Sequence, residues 1–175
     1  MNRLWAPWRM KYIQDIDKDD DECIFCKKPS QPNDKDRDNL ILFRGKKCFV
    51  LMNLFPYNNG HLMIIPYEHT SDILSLDKET SDELWELLCK SRRALSKALK
   101  PDAFNIGMNI GRVAGAGIDQ HVHMHIVPRW NGDTNFIGVI GETKVISQAL
   151  WETYDSLFPH LQTVNGNFCD EESQL

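Results

Sequence analysis

The segment His121-Val122-His123-Met124-His125-Ile126-Val127 places three of the chain's six histidines at every second position. In a strand, alternate residues leave the same face, roughly 6.5–7 Å apart along the chain. The spacing therefore predicts a strand over His121–Val127 that lines one face with three imidazoles while Val122, Met124 and Ile126 enter the core. Packing alone gives little reason for such a face. Imidazole, with an unperturbed pKa of ~6.5, can serve as nucleophile, acid or base near neutrality. Just upstream runs Asn109-Ile110-Gly111-Arg112-Val113-Ala114-Gly115-Ala116-Gly117. Its glycines allow backbone N–H groups to turn toward an anion with no Cβ in the way. Alone, such a loop often makes only a turn; its position before the histidine strand makes it a candidate anion site.

The second candidate is Cys23-Ile24-Phe25-Cys26, within a total of five cysteines. In a reducing compartment a CxxC pair reads as half of a metal site before it reads as a disulfide, although redox sites share the spacing. Cys48, Cys89 and Cys169 are expected to be structural or incidental, and His160 incidental. Trp5, Trp8 and Arg9 could stack on a base and bind phosphate, or could anchor an arm on the sheet. The same two alternatives hold for Arg129 and Trp130.

These groups need a scaffold. The runs Leu40–Phe43 and Cys48–Met52 flank Arg44-Gly45-Lys46 as a hairpin, and Asn58-Asn59-Gly60 turns into a strand over Leu62–Ile65 that Pro66 ends. Leucines and alanines at helical spacing predict a helix over Lys78–Leu99, capped by Asp77 and stopped before Pro101. Phe104–Ile110 and His121–Val127 complete about five strands, so the fold class is α+β on a mostly antiparallel sheet. Residues 1–22 read as an N-terminal arm and 27–39, rich in Pro, Lys, Asp and Asn, as a mobile loop. Residues 131–162, with Trp151, Leu157 and Phe158, read as a C-terminal extension, and 163–175 as a disordered tail.

Composition narrows the function. A net charge of −5 argues against a broad nucleic-acid surface, which needs excess Lys and Arg. A small nucleotide stays possible, since a phosphate chain can be held by backbone N–H groups and a few polar side chains. The sequence has no apolar run long enough to span a bilayer and no signal-peptide pattern at its start, so a cytoplasmic location without membrane contact is expected.

The histidine segment resembles the signature of the histidine triad (HIT) superfamily, in which histidines alternate with apolar residues. The likeness runs from about Cys23 to Trp130 and includes Asn53-Leu54-Phe55-Pro56-Tyr57-Asn58-Asn59-Gly60-His61. The flanking Leu4-Trp5-Ala6-Pro7-Trp8-Arg9 and Pro128-Arg129-Trp130 look like the branch that contains diadenosine tetraphosphate phosphorylases and hydrolases. The resemblance implies a HIT domain over 23–130, with an antiparallel sheet and one long helix, in a homodimer. It implies that His123 attacks the α-phosphorus of a nucleoside phosphoanhydride, forming a nucleotidyl-histidine that water or inorganic phosphate resolves. It assigns His125 and Asn109 to phosphate oxygens, backbone N–H groups around Gly115 and Gly117 to the developing charge, and Asn53 to the ribose. His61 takes a supporting place behind them. Many relatives carry Ser or Thr where this chain has Gly117-Ile118, which leaves the leaving-group acid unassigned. Zinc-containing relatives imply a structural zinc on Cys23, Cys26, His69 and His121; the alternative is free thiols with His69 on the surface. Three other functions fit parts of the pattern: a phosphoramidate or adenylyl-conjugate hydrolase, a metallohydrolase using zinc-bound water, and a nucleotide-binding module without turnover.

Overall fold

In this computed structural model, which describes residues 22–133 and 148–163, a five-stranded antiparallel sheet runs in the order β1-β2-β3-β5-β4. Its strands are β1 (Ile41–Arg44), β2 (Cys48–Met52), β3 (Leu62–Pro66), β4 (Ala103–Met108) and β5 (Met124–Arg129). The helices are α1 (Ile24–Ser30), α2 (Asp36–Asn39), α3 (Lys78–Leu99) and α4 (Leu150–Gln162). β2 and β3 are buried along their whole length, which accounts for their unbroken apolar runs. α3 has the predicted span: Asp77 Oδ1 accepts from the Thr80 N–H at 2.7 Å, and Lys100 closes the helix in a left-handed conformation before Pro101. Leu84, Leu87, Leu88, Ala94 and Leu95 bury its inner face against β2 and β3. From that helix Glu83 accepts the N–H groups of Lys46, Lys47 and Cys48, clamping the β1–β2 turn. A Cβ at Gly45 would stand 2.8 Å from the Cys48 carbonyl oxygen as well as 2.7 Å from the Glu83 carboxylate, so a larger residue would force the turn's backbone to shift.

Three boundaries differ from the sequence-based expectation. β5 starts at Met124 rather than His121. Extending its register with β3 would set Val122 opposite Pro66, which has no N–H to donate. The Val122 N–H bonds instead to the Thr70 carbonyl at 2.6 Å, so His121 and His123 precede the strand and only His125 lies within it. β4 ends at Met108 because its partner Met124 is the first residue of β5, leaving Asn109 and Ile110 without a ladder partner.

The third difference is residues 27–39, which form α1, a 3₁₀ turn and α2 rather than a mobile loop. Their anchor is polar. The Arg44 guanidinium binds the Asp36 carboxylate at 2.7 Å and the carbonyls of Pro29 and Gln31 at 2.6 and 3.0 Å, while Lys28 Nζ donates to the Asn39 carbonyl at 2.7 Å.

α4 packs against α3 and β1, burying Tyr154, Leu157 and Leu161, with Trp151 and Phe158 on its outer side. It also covers the β1 edge: Tyr154 OH and Gln162 Nε2 donate to the carbonyls of Ile41 and Leu42 at 2.7 and 2.8 Å. Among the described residues no strand pairs with the opposite edge, β4, where Ile106 is 47 % exposed. The expected arm with Trp5, Trp8 and Arg9, and the tail beyond residue 163, lie outside the described residues. No helix among the described residues is long and apolar enough to cross a membrane.

Candidate active site and metal centre

α1 carries Cys23 at its start and Cys26 in its first turn, with Phe25 between them buried in the core. The helix thereby turns both sulfurs toward His69 and His121. His121 Nδ1 lies 3.4 Å from Cys23 Sγ, 3.6 Å from Cys26 Sγ and 3.3 Å from His69 Nδ1, and Cys26 Sγ lies 3.3 Å from His69 Nδ1. A tetrahedral zinc, with bonds of about 2.3 Å to sulfur and 2.0–2.1 Å to nitrogen, holds neighbouring donors roughly 3.3–3.8 Å apart. The donor set fits that ion. The tautomer fits too: His121 Nε2 meets the Pro66 carbonyl at 2.9 Å and must carry the proton, leaving the Nδ1 lone pair aimed at the sulfurs. Burial, then the adjacent Cys23, push the Cys26 thiol up to about 11, so binding a divalent cation here releases protons.

His123 is oriented by the same backbone. Its Nδ1 donates to the His121 carbonyl at 2.8 Å, which leaves Nε2 as the lone-pair nitrogen. Burial holds His123 below the ordinary imidazole range, against the opposing pull of that carbonyl, so the ring is neutral near pH 7. The Phe25 ring packs against both His121 and His123, at centroid distances of 5.6 and 5.0 Å. The CxxC pair thus brackets an aromatic residue that touches the two histidines leading into β5. Sequence reasoning missed Phe25, although an apolar residue inside a CxxC pair was the available signal.

His61 sets the state of His125. Burial, then the rings of His125 and His123, push His61 down to about 3, so it is neutral with a single N–H. Its Nδ1 accepts the Tyr57 backbone N–H at 3.1 Å, and the proton is therefore on Nε2. That N–H faces His125 Nδ1 at 2.9 Å. His125 must accept there, which places its own proton on Nε2. A doubly protonated His125 would meet the His61 N–H head-on. Tyr57, also unanticipated, lays its ring 4.5 Å from His61 and 5.8 Å from His125.

The remaining candidates divide. Asn53 joins the site: its Nδ2 approaches His61 Nδ1 at 3.2 Å while its Oδ1 accepts the Phe55 N–H at 3.0 Å. Asn109 follows β4 and is half-buried. Within the glycine loop the N–H groups of Ala114, Gly115 and Ala116 bond back to Gly111, Arg112 and Gly111, closing a 3₁₀ turn. Gly115 therefore serves the turn, with φ +95°, rather than presenting its N–H to an anion, and Gly117 stands exposed beyond it. Arg129 is engaged by Asp133 at 2.7 and 2.8 Å and by Asn105 at 2.8 Å. Among the described residues, Cys23, Cys26, His69 and His121 form the group close enough to share an ion. His123 and His125 are not members of it, which disfavours a metal held by the whole triad.

The HIT domain profile matches residues 34–132. The chain is 39 % identical over 157 residues to AP-4-A phosphorylase of Mycobacterium tuberculosis, covering 87 % of this chain and 80 % of that protein. It is 32 % identical over 111 residues to an adenosine 5'-monophosphoramidase of Schizosaccharomyces pombe, covering 62 % and 75 %. The crystal structure of a Zn-bound histidine triad family protein from Mycobacterium smegmatis superposes with a TM-score of 0.61 at 25 % identity, covering 81 % of this chain and 94 % of that one.

Proposed function

This chain belongs to the HIT domain family, and from that premise we propose that it is a nucleotidyl transferase cleaving a dinucleoside polyphosphate such as diadenosine tetraphosphate. The observation that carries the mechanism is the pair of fixed tautomers, a lone pair on His123 Nε2 beside a donor on His125 Nε2, with ring centroids 4.8 Å apart. His123 Nε2 attacks the α-phosphorus, a P–N bond forms, and the bond to the bridging oxygen breaks. The His125 N–H donates to a phosphate oxygen as charge develops there, and the departing polyphosphate leaves as an anion that takes its proton from solvent. Asn53 binds the ribose, and Asn109 with the Gly117 N–H supports the phosphate. Water or inorganic phosphate then attacks the nucleotidyl-histidine, freeing His123. Likeness to the AP-4-A phosphorylase favours phosphate as the acceptor.

Cys23, Cys26, His69 and His121 would hold a zinc ion, supported by the donor spacing and the Zn-bound relative. When bound, that ion supplies structural cross-linking, since four protein donors leave it no open position. The homodimer places α3 and the β4 edge at a two-fold contact, supported by exposed Trp85, Ile106 and Ile110. Light scattering should then give twice the 20.3 kDa chain mass, and a clean monomer mass would exclude the pairing. The CxxC pair, read as a metal site, fits the reducing cytoplasm.

Product analysis on diadenosine tetraphosphate tests the reading. With inorganic phosphate the expected products are ADP and ATP; without it, slower release of AMP and ATP. Absence of turnover under both conditions would refute a dinucleoside polyphosphate substrate.

A further inference from the structure

The Asn53–His61 segment that supplies the ribose and histidine groups is held from several sides. Asn58 Nδ2 donates to the Pro128 carbonyl at 3.0 Å and to Asp133 at 2.7 Å. Gly60, at φ +72°, lies so close to α3 that a Cβ would stand 2.6 Å from Leu99 and 3.0 Å from Leu95. Between them Asn59, 7 % exposed, turns its amide into the start of α4. Its Oδ1 accepts from Thr153 Oγ1 at 2.9 Å, and its Nδ2 donates to Gln148 Oε1 at 3.3 Å. Thr153 is 1 % exposed, and its hydroxyl also lies 3.1 Å from the Ala149 carbonyl. A buried hydroxyl joined to a buried amide is a costly arrangement to leave half-satisfied, so the two residues fix each other's position.

We propose that Thr153 is a positioning residue for the nucleotidyl-transfer site: its hydroxyl bond to Asn59 makes the C-terminal helix a brace for the turn that aims His61 at His125. The path is short. Asn59 is two residues from His61, whose N–H bonds to the Asn58 carbonyl at 3.2 Å and whose ring must present Nε2–H to His125 at 2.9 Å. A loosened turn lets the His61 ring tilt, and the Tyr57 N–H no longer dictates which nitrogen carries its proton. His125 then samples both tautomers, and a fraction of molecules present a lone pair where the phosphate needs a donor. The helix thus belongs to the working site through the Asn59 turn. This inference rests on the proposed role of His125 for its catalytic consequence but not for its structural one.

Imidazole ¹⁵N resonances of the full-length protein separate the two. In the parent, His61 and His125 are expected as single Nε2–H tautomers. Thr153→Val should move one or both toward tautomer-averaged shifts well below the melting temperature. It should also lower kcat on diadenosine tetraphosphate by roughly fivefold or more with KM within about twofold. Thr153→Ser, which keeps the hydroxyl, should restore both. Asn59→Ala, removing the other half of the bond, should reproduce the valine effect and serves where Thr153→Val folds poorly. A Thr153→Val or Asn59→Ala protein with unchanged tautomers and kcat would overturn the brace. Tautomers that respond in a protein unable to cleave the dinucleotide would leave the brace standing and refute the assigned reaction instead.

Discussion

His123→Ala is expected to lose turnover by at least ~10⁴-fold while still binding nucleotide, because a covalent route has one nucleophile and no neighbour can replace it. His125 cannot: its Nδ1 is occupied by His61, and its Nε2 carries a proton rather than a lone pair. His121 cannot: its Nε2 is bonded to Pro66 and its Nδ1 faces the cysteines. His123→Gly should regain part of the rate with added imidazole, which fills the space and supplies the nitrogen. Single-turnover measurement on the folded variant is the check. Retention of more than a few per cent of the parent rate would remove His123 from the nucleophile's role. The parent's pH profile carries a related signature. Burial lowers the His123 pKa, so the neutral, reactive form persists below the ordinary imidazole range. The rate should hold as pH falls through ~6.5 and decline only at more acid values.

The second large effect concerns the metal centre. Cys23→Ser should abolish the zinc binding proposed for this site and lower folding stability by roughly 3 kcal/mol or more, the class of loss seen when a structural metal is withdrawn. Catalysis should suffer with it, although the metal has no open position for substrate. His121 is shared: its ring faces the cysteines, and its carbonyl holds His123 Nδ1 at 2.8 Å. Losing the metal frees α1, and with it Phe25, from the histidine approach. Elemental analysis of protein purified without added metal, together with melting of parent and variant, decides the matter. A parent without zinc, or a Cys23→Ser variant as metal-rich and as stable as the parent, would remove the site.

Local patterns identified much of this molecule because their causes are local. The α3 span follows from side-chain periodicity, the Asp77 cap and Pro101, all readable within one stretch of chain. The alternating histidines and the CxxC pair marked the candidate chemistry in the same way, the Asn58-Asn59-Gly60 turn marked the approach to β3, and the fold class followed from the order of apolar runs. What needed the tertiary structure was whatever depended on partners far along the chain. Residues 27–39 looked like a loop because their anchor, Arg44, is polar and sits on a strand that local hydrophobicity cannot connect to them. The glycine loop looked like an anion cradle throughout, yet the N–H groups of Ala114, Gly115 and Ala116 close a turn, which leaves the part around Gly117 for that role. Spacing alone set three imidazoles on one strand face, and only the resemblance told them apart. Their differing roles come from contacts that composition cannot show: Pro66, which lacks an N–H and offers its carbonyl to His121; the His121 carbonyl, which orients His123; and His61, which sets the proton on His125. A side chain's type is written in the sequence, but the position of an imidazole proton is set by whichever donor or acceptor folding brings to its other nitrogen.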